Sequence, residues 1–89
     1  MDLPAQFQAF KDKEGRIVRL PAKHSKKQDL CLFLLGAFEE GVSYSEPEVT
    51  RILLQYVDDF AYVRRVLVNM GLLERDRYGR VYSRVSAAA

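Results

Sequence analysis

One cysteine, one histidine and no tryptophan occur among the 89 residues. A lone Cys31 excludes an internal disulfide framework and suits a reducing cytoplasm. His24 and Cys31 are seven positions apart, about two helical turns. They form no cluster at zinc-ligand spacing, and in an apolar run Cys31 reads as a small core residue. The longest apolar run, Leu30 to Phe38, falls far short of the roughly 20 residues that span a bilayer. MDLPAQF at the start has no basic stretch leading into an apolar one, so no secretion signal is expected. There is no Gly-rich loop to cradle a phosphate. No pair of carboxylates is placed to flank a substrate, because Asp58 and Asp59 are neighbours and point about 100° apart on a helix. Ser25 follows His24 but is better explained as a helix cap than as a nucleophile. With the roles of an active site unfilled, neither an enzyme nor a metal or other cofactor is expected.

What is present describes a globular domain. Hydrophobic residues make up 48% and charged residues 29%, the balance of a folded chain rather than a disordered one. The length fits one domain that buries most of its apolar surface. The net charge is only +2, modest for a nucleic-acid binder, so distribution matters more than the total. Lys11, Lys13, Arg16, Arg19, Lys23, Lys26 and Lys27 face only Asp12 and Glu14 in their segment. Arg75, Arg77, Arg80 and Arg84 face Glu74 and Asp76. Acids elsewhere, such as Glu39, Glu40, Glu46 and Glu48, dilute the sum.

Along the chain, residues 1–24 read as an N-terminal extension. Leu3 to Phe10 is a weakly helical segment, Asp12 to Gly15 a turn, and Arg16 to Leu20 a short strand that Pro21 ends. Helix one is expected over 25–41, opened by a Ser25/Gln28 capping box and stopped at Gly41. A helix-turn-helix is expected over 45–71. Ser45 and Glu48 form a second capping box, Tyr44 can staple onto Val49, and Pro47 lies in the first turn. Val49, Ile52, Leu53 and Tyr56 give helix two one apolar stripe. Helix three begins at Asp58 or Asp59, buries Phe60, Val63, Leu67 and Met70, and stops at Gly71. Residues 72–85 form a hairpin of Leu72-Leu73 and Val81–Val85 around Arg77-Tyr78-Gly79-Arg80. Residues 86–89 are expected to fray. The fold class is therefore α+β, a small winged helix-turn-helix with three core helices, a C-terminal β-hairpin wing and a short N-terminal helix/hairpin extension.

Such a fold offers surfaces for double-stranded DNA. Asp58, Tyr62, Arg65 and Asn69 share the outward face of helix three, the element that enters the major groove in a helix-turn-helix. Arg65 can read guanine and Asn69 adenine, each through paired hydrogen bonds, while Tyr62 offers a phosphate contact or a stacking surface. Arg64 has no acid three or four residues away to occupy it within its own helix. Its alternative is to lay its stem along the core edge, and Asp58 and Asp59 would repel phosphates. The wing arginines Arg75, Arg77, Arg80 and Arg84 suit backbone or minor-groove contact, or simple protection of a sheet edge. Lys26 and Lys27 lie in the first turn of helix one, where the dipole disfavours cations. That mild cost suits an anionic partner, although exposed lysines there are tolerated.

Phe10, Asp12, Gly15, Arg16, Leu20 and Pro21, the lysines of PAKHSKK, Tyr44-Ser45-Glu46, Glu48-Val49 and Ile52-Leu53 form one half of a pattern that runs nearly end to end. Asp59, Arg64-Arg65, Leu67, Gly71, Leu73, Arg75, Gly79, Tyr82 and Arg84 complete it. Together they resemble the bacterial domain-of-unknown-function family 2087. The resemblance implies a small winged-helix-type domain, often found downstream of a separate DNA-binding helix-turn-helix in bacterial regulators, with an activity of its own that is not established. Two expectations follow. One is a cytoplasmic DNA-binding protein that acts as a transcriptional regulator or an accessory module of one. The other is a protein-contact module of the same shape, docking onto a regulator or onto a second copy as a homodimer. Neither involves a membrane.

Overall fold

The computed structural model describes residues 3–85; the alanines expected to fray lie outside them. A 3-10 helix (Ala5–Phe10) precedes α1 (His24–Leu35), β1 (Ser43–Ser45), α2 (Glu46–Leu54), α3 (Phe60–Asn69), β2 (Leu73–Arg75) and β3 (Val81–Arg84). The strands form one antiparallel sheet in the order β1-β3-β2. The class is α+β, with helices packed on a three-stranded sheet. No helix among the described residues is long and apolar enough to cross a membrane.

The N-terminal segment departs from the expected strand. Ile17 alone bridges to Lys11 on one side and to Val57 on the other. Its N–H donates to Tyr56 O at 2.6 Å and its carbonyl accepts from Asp58 N at 3.0 Å. The Asp12–Gly15 turn forms as expected, with Gly15 at φ 82° and the Asp12 carboxylate accepting from the N–H groups of Glu14 and Arg16. A tight turn on one side and Pro21 on the other leave too short a stretch to extend a ladder. The segment instead supplies plugs: Phe7 is 0% and Ile17 1% exposed.

Helix α1 is shorter than 25–41 and starts one residue earlier. Lys23 is its N-cap and no side chain caps it, so the Ser25/Gln28 box does not form. Ser25 is already inside the helix, where it cannot adopt the extended backbone a cap needs. The helix ends at Leu35 rather than Gly41. Gly36, Ala37 and Phe38 donate to the carbonyls three residues back, a tightening that turns Phe38 into the core. Gly41, at φ 78°, instead reverses the chain before β1.

Helix α2 follows its sequence closely. Glu48 N donates to Ser45 Oγ at 3.3 Å and Ser45 N to Glu48 Oε1 at 2.9 Å, a complete capping box. Val49 and Leu53 are buried, and Ile52 and Tyr56 pack at the margin. Helix α3 takes Asp59 as its cap, the carboxylate accepting from Tyr62 N at 3.2 Å. Val63 and Leu67 are buried, Phe60 and Met70 half-buried.

Strand β1 was not expected. Tyr44 pairs with Tyr82 across the sheet and meets the Phe38 ring edge-on at 5.3 Å. Its hydroxyl accepts from Glu39 N at 2.8 Å. In the hairpin, Leu73 lies opposite Arg84 and Arg75 opposite Tyr82. Leu73 and Tyr82 are buried, so this pair of registers defines the core-facing side of the hairpin.

Candidate nucleic-acid interface

The chain from Val63 to Val68 turns two consecutive arginines toward the sheet side of α3. Arg64 lies over the Tyr82 ring, 6.0 Å from its centroid, and reaches Glu46 of α2 at 3.5 Å. Its side chain is only 20% exposed, so it packs along the core edge. Arg65 is exposed. Across from both stands Arg75, whose strand position opposite Tyr82 sends it to the same side. Arg64, Arg65 and Arg75, with Ala61, Val68 and Tyr82, line a depression of about 210 Å³ between α3 and the hairpin.

The face expected on helix three is divided. Arg65 belongs to this depression, while Tyr62 sits on the opposite flank. There the Lys27 ammonium donates to the Tyr62 hydroxyl at 3.2 Å and lies 5.6 Å from the ring centroid. The contact ties the first turn of α1 to α3. Asn69 is exposed one turn beyond Arg65, and Lys26 is exposed on α1. Asp58, set against phosphates by the sequence, pairs with Arg16 at 2.5 Å. Asp59 is occupied as a cap.

The hairpin tip is held by Asp76. Its carboxylate accepts from Arg80 N at 2.7 Å and Val81 N at 3.2 Å, and Gly79 turns at φ 68°. Those backbone donors, Arg80 first, hold the Asp76 carboxyl below its ordinary range. The guanidiniums of Arg77 and Arg80 each lie 5.7 Å from the Tyr78 ring centroid. Tyr78 is 71% exposed, so the tip is an aromatic ring flanked by two cations.

Arg84 is not part of that surface. Its Nη1 donates to Phe38 O at 3.2 Å and Leu35 O at 3.5 Å, and Nη2 lies 3.7 Å from Glu40. It closes the C-terminal end of α1. The signal was available: Arg84 is two residues from Tyr82, hence on the same side of its strand. Burial pushes the Cys31 thiol up, as suits an inert core residue. No group of three or more His, Cys, Asp or Glu able to hold a metal occurs among the described residues.

The chain belongs to the family described as an uncharacterised protein conserved in bacteria (DUF2087), whose model matches residues 16–84. No curated protein and no solved structure matches it.

Proposed function

We propose that this domain is a winged helix that binds double-stranded DNA from the cytoplasm of a bacterium, as a transcriptional regulator or an accessory module of one. The element order α1-β1-α2-α3-β2-β3 with sheet order β1-β3-β2 supports the winged-helix reading. The observation that carries DNA binding is the depression where Arg65 of α3 and Arg75 of the hairpin converge beside Arg64. A phosphate seated there would fix the register of α3, leaving Asn69 and the free side of Arg65 toward base edges. The Arg77-Tyr78-Arg80 tip would follow the backbone or minor groove. Lys26, Lys27 and Tyr62 would hold a flanking phosphate.

Fluorescence anisotropy with labelled random duplex DNA tests this at low and physiological salt. Affinity is expected to fall with salt along a log–log slope of about −3 to −5, for four or five phosphates neutralised. Arg65→Ala with Arg75→Ala should weaken binding further, each by about 1–3 kcal/mol at a preferred site. Absence of binding at low salt would overturn the reading and favour the protein-contact module.

A further inference from the structure

On another face, the N-terminal segment and the start of α1 enclose a cleft of about 390 Å³. Phe10, Leu20 and Pro21 form an apolar floor; Pro21 is fully buried, and Phe10 and Leu20 are half-buried. Arg19, Lys23 and Lys26 stand around it. All three are exposed, and none is in an ion pair among the described residues. No acid lines the cleft. The Arg19 guanidinium lies 5.9 Å from the Phe10 ring centroid, leaving a flat cationic edge over an apolar base. Helix α1 starts at this rim with no side-chain cap and no acid in its first turn, so its orphan N–H groups add to the positive potential.

We propose that this cleft binds a small amphipathic organic anion: a flat apolar body carrying a carboxylate, sulfonate or phosphate. The volume falls within the range of about 300–1,000 Å³ usual for small-molecule sites. The charge complementarity chooses an anion, and the floor of Phe10, Leu20 and Pro21 chooses an apolar body over an inorganic ion or a bare sugar–phosphate backbone. The site is separate from the arginine depression and does not rest on DNA binding.

The test titrates the full chain with 8-anilinonaphthalene-1-sulfonate and, in parallel, with N-phenyl-1-naphthylamine, which has the same body without the charge. Binding is followed by fluorescence and by amide chemical shifts. Saturable sulfonate binding is expected, with shifts centred on Phe10, Leu20, Ala22 and Lys23. The neutral compound and the Arg19→Ala/Lys26→Ala variant should each bind roughly tenfold more weakly, and Arg19→Lys/Lys26→Arg should restore affinity. Circular dichroism on each sample establishes that the dye meets folded protein. Equal affinity for the neutral compound, shifts centred elsewhere, or no saturable binding would overturn the assignment. So would a glutamate-rich peptide that occupies the cleft when the dye does not. Arg65→Ala/Arg75→Ala should leave the dye titration unchanged whatever it does to DNA.

Discussion

Arg84 sits among the hairpin cations in the sequence but spends its guanidinium inside the domain. The carbonyls of Leu35 and Phe38 that it receives lie at and just beyond the C-terminal end of α1, where unsatisfied acceptors and the helix dipole both favour a cation. Hydrogen bonds from a charged donor are worth more than neutral ones. Arg84→Ala is therefore expected to destabilise the fold by about 1–3 kcal/mol, the cost of leaving such acceptors unmet. The Arg84 Nε, buried without a partner, offsets some of that. Arg80→Ala, at the exposed tip, should stay within about 0.5 kcal/mol. Urea denaturation of the two variants measures the difference; equal midpoints would show that Arg84 does not close α1. The same residue shows how part of the site was legible. Pattern and charge pick out Arg65, Arg75, Arg77 and Arg80 as surface cations, but alternation along β3 also sends Arg84 inward with Tyr82. Arg64 was legible only as two alternatives, because its partner Glu46 lies on another helix.

Helices α2 and α3 were readable because local chemistry and the tertiary fold agree at both: caps at Ser45 and Asp59, one apolar stripe each, and a glycine after α3 at positive φ. Strand β1 was not, since Ser43-Tyr44-Ser45 has no strand pattern and is extended only by pairing with β3. The start of α1 was misread for a related reason. The Ser25/Gln28 spacing copies that of Ser45/Glu48, but Pro21 and the buried N-terminal plug place the chain so that helix begins before Ser25. Ser45→Ala should cost about 1 kcal/mol, the usual loss of a cap, whereas Ser25→Ala should be neutral within about 0.5 kcal/mol. Thermal denaturation of both variants checks the pair, and an equal loss at Ser25 would restore the expected box. The hairpin adds a pH dependence. The Asp76 pKa is lowered from its ordinary 3.8 by the N–H groups of Arg80 and then Val81. A carboxyl more acidic folded than unfolded stabilises fully above its unfolded pKa and loses that contribution as pH falls through the folded one. The amide shifts of Arg80 and Val81 should therefore move together below pH 3.8 and stay flat in Asp76→Asn. Flat shifts in the unaltered protein would show that the carboxylate does not organise the tip.

At the scale of the molecule, the family match begins at residue 16, but the core begins earlier. Phe7 is wholly buried in the same cluster as Leu34, Leu53 and Leu67. The segment carrying it is fastened by the backbone bridges of Ile17 to Lys11 and Val57. The Arg16–Asp58 ion pair adds little to that fastening, since both side chains are more than a third exposed. A domain of this length has roughly 5–13 kcal/mol of stability in total. Truncating a buried phenylalanine costs about 3–5 kcal/mol, a large share of it. Phe7→Ala should lower the melting temperature sharply, and a chain trimmed to 16–85 should lose cooperative unfolding altogether. The segment also packs on its own domain, so the melting temperature of the full chain should not depend on protein concentration. If instead the trimmed chain melts like the full one, Phe7 is not part of the core. If the full chain melts higher as it is concentrated, the segment is exchanged between two copies, and the cleft it forms with α1 belongs to a dimer.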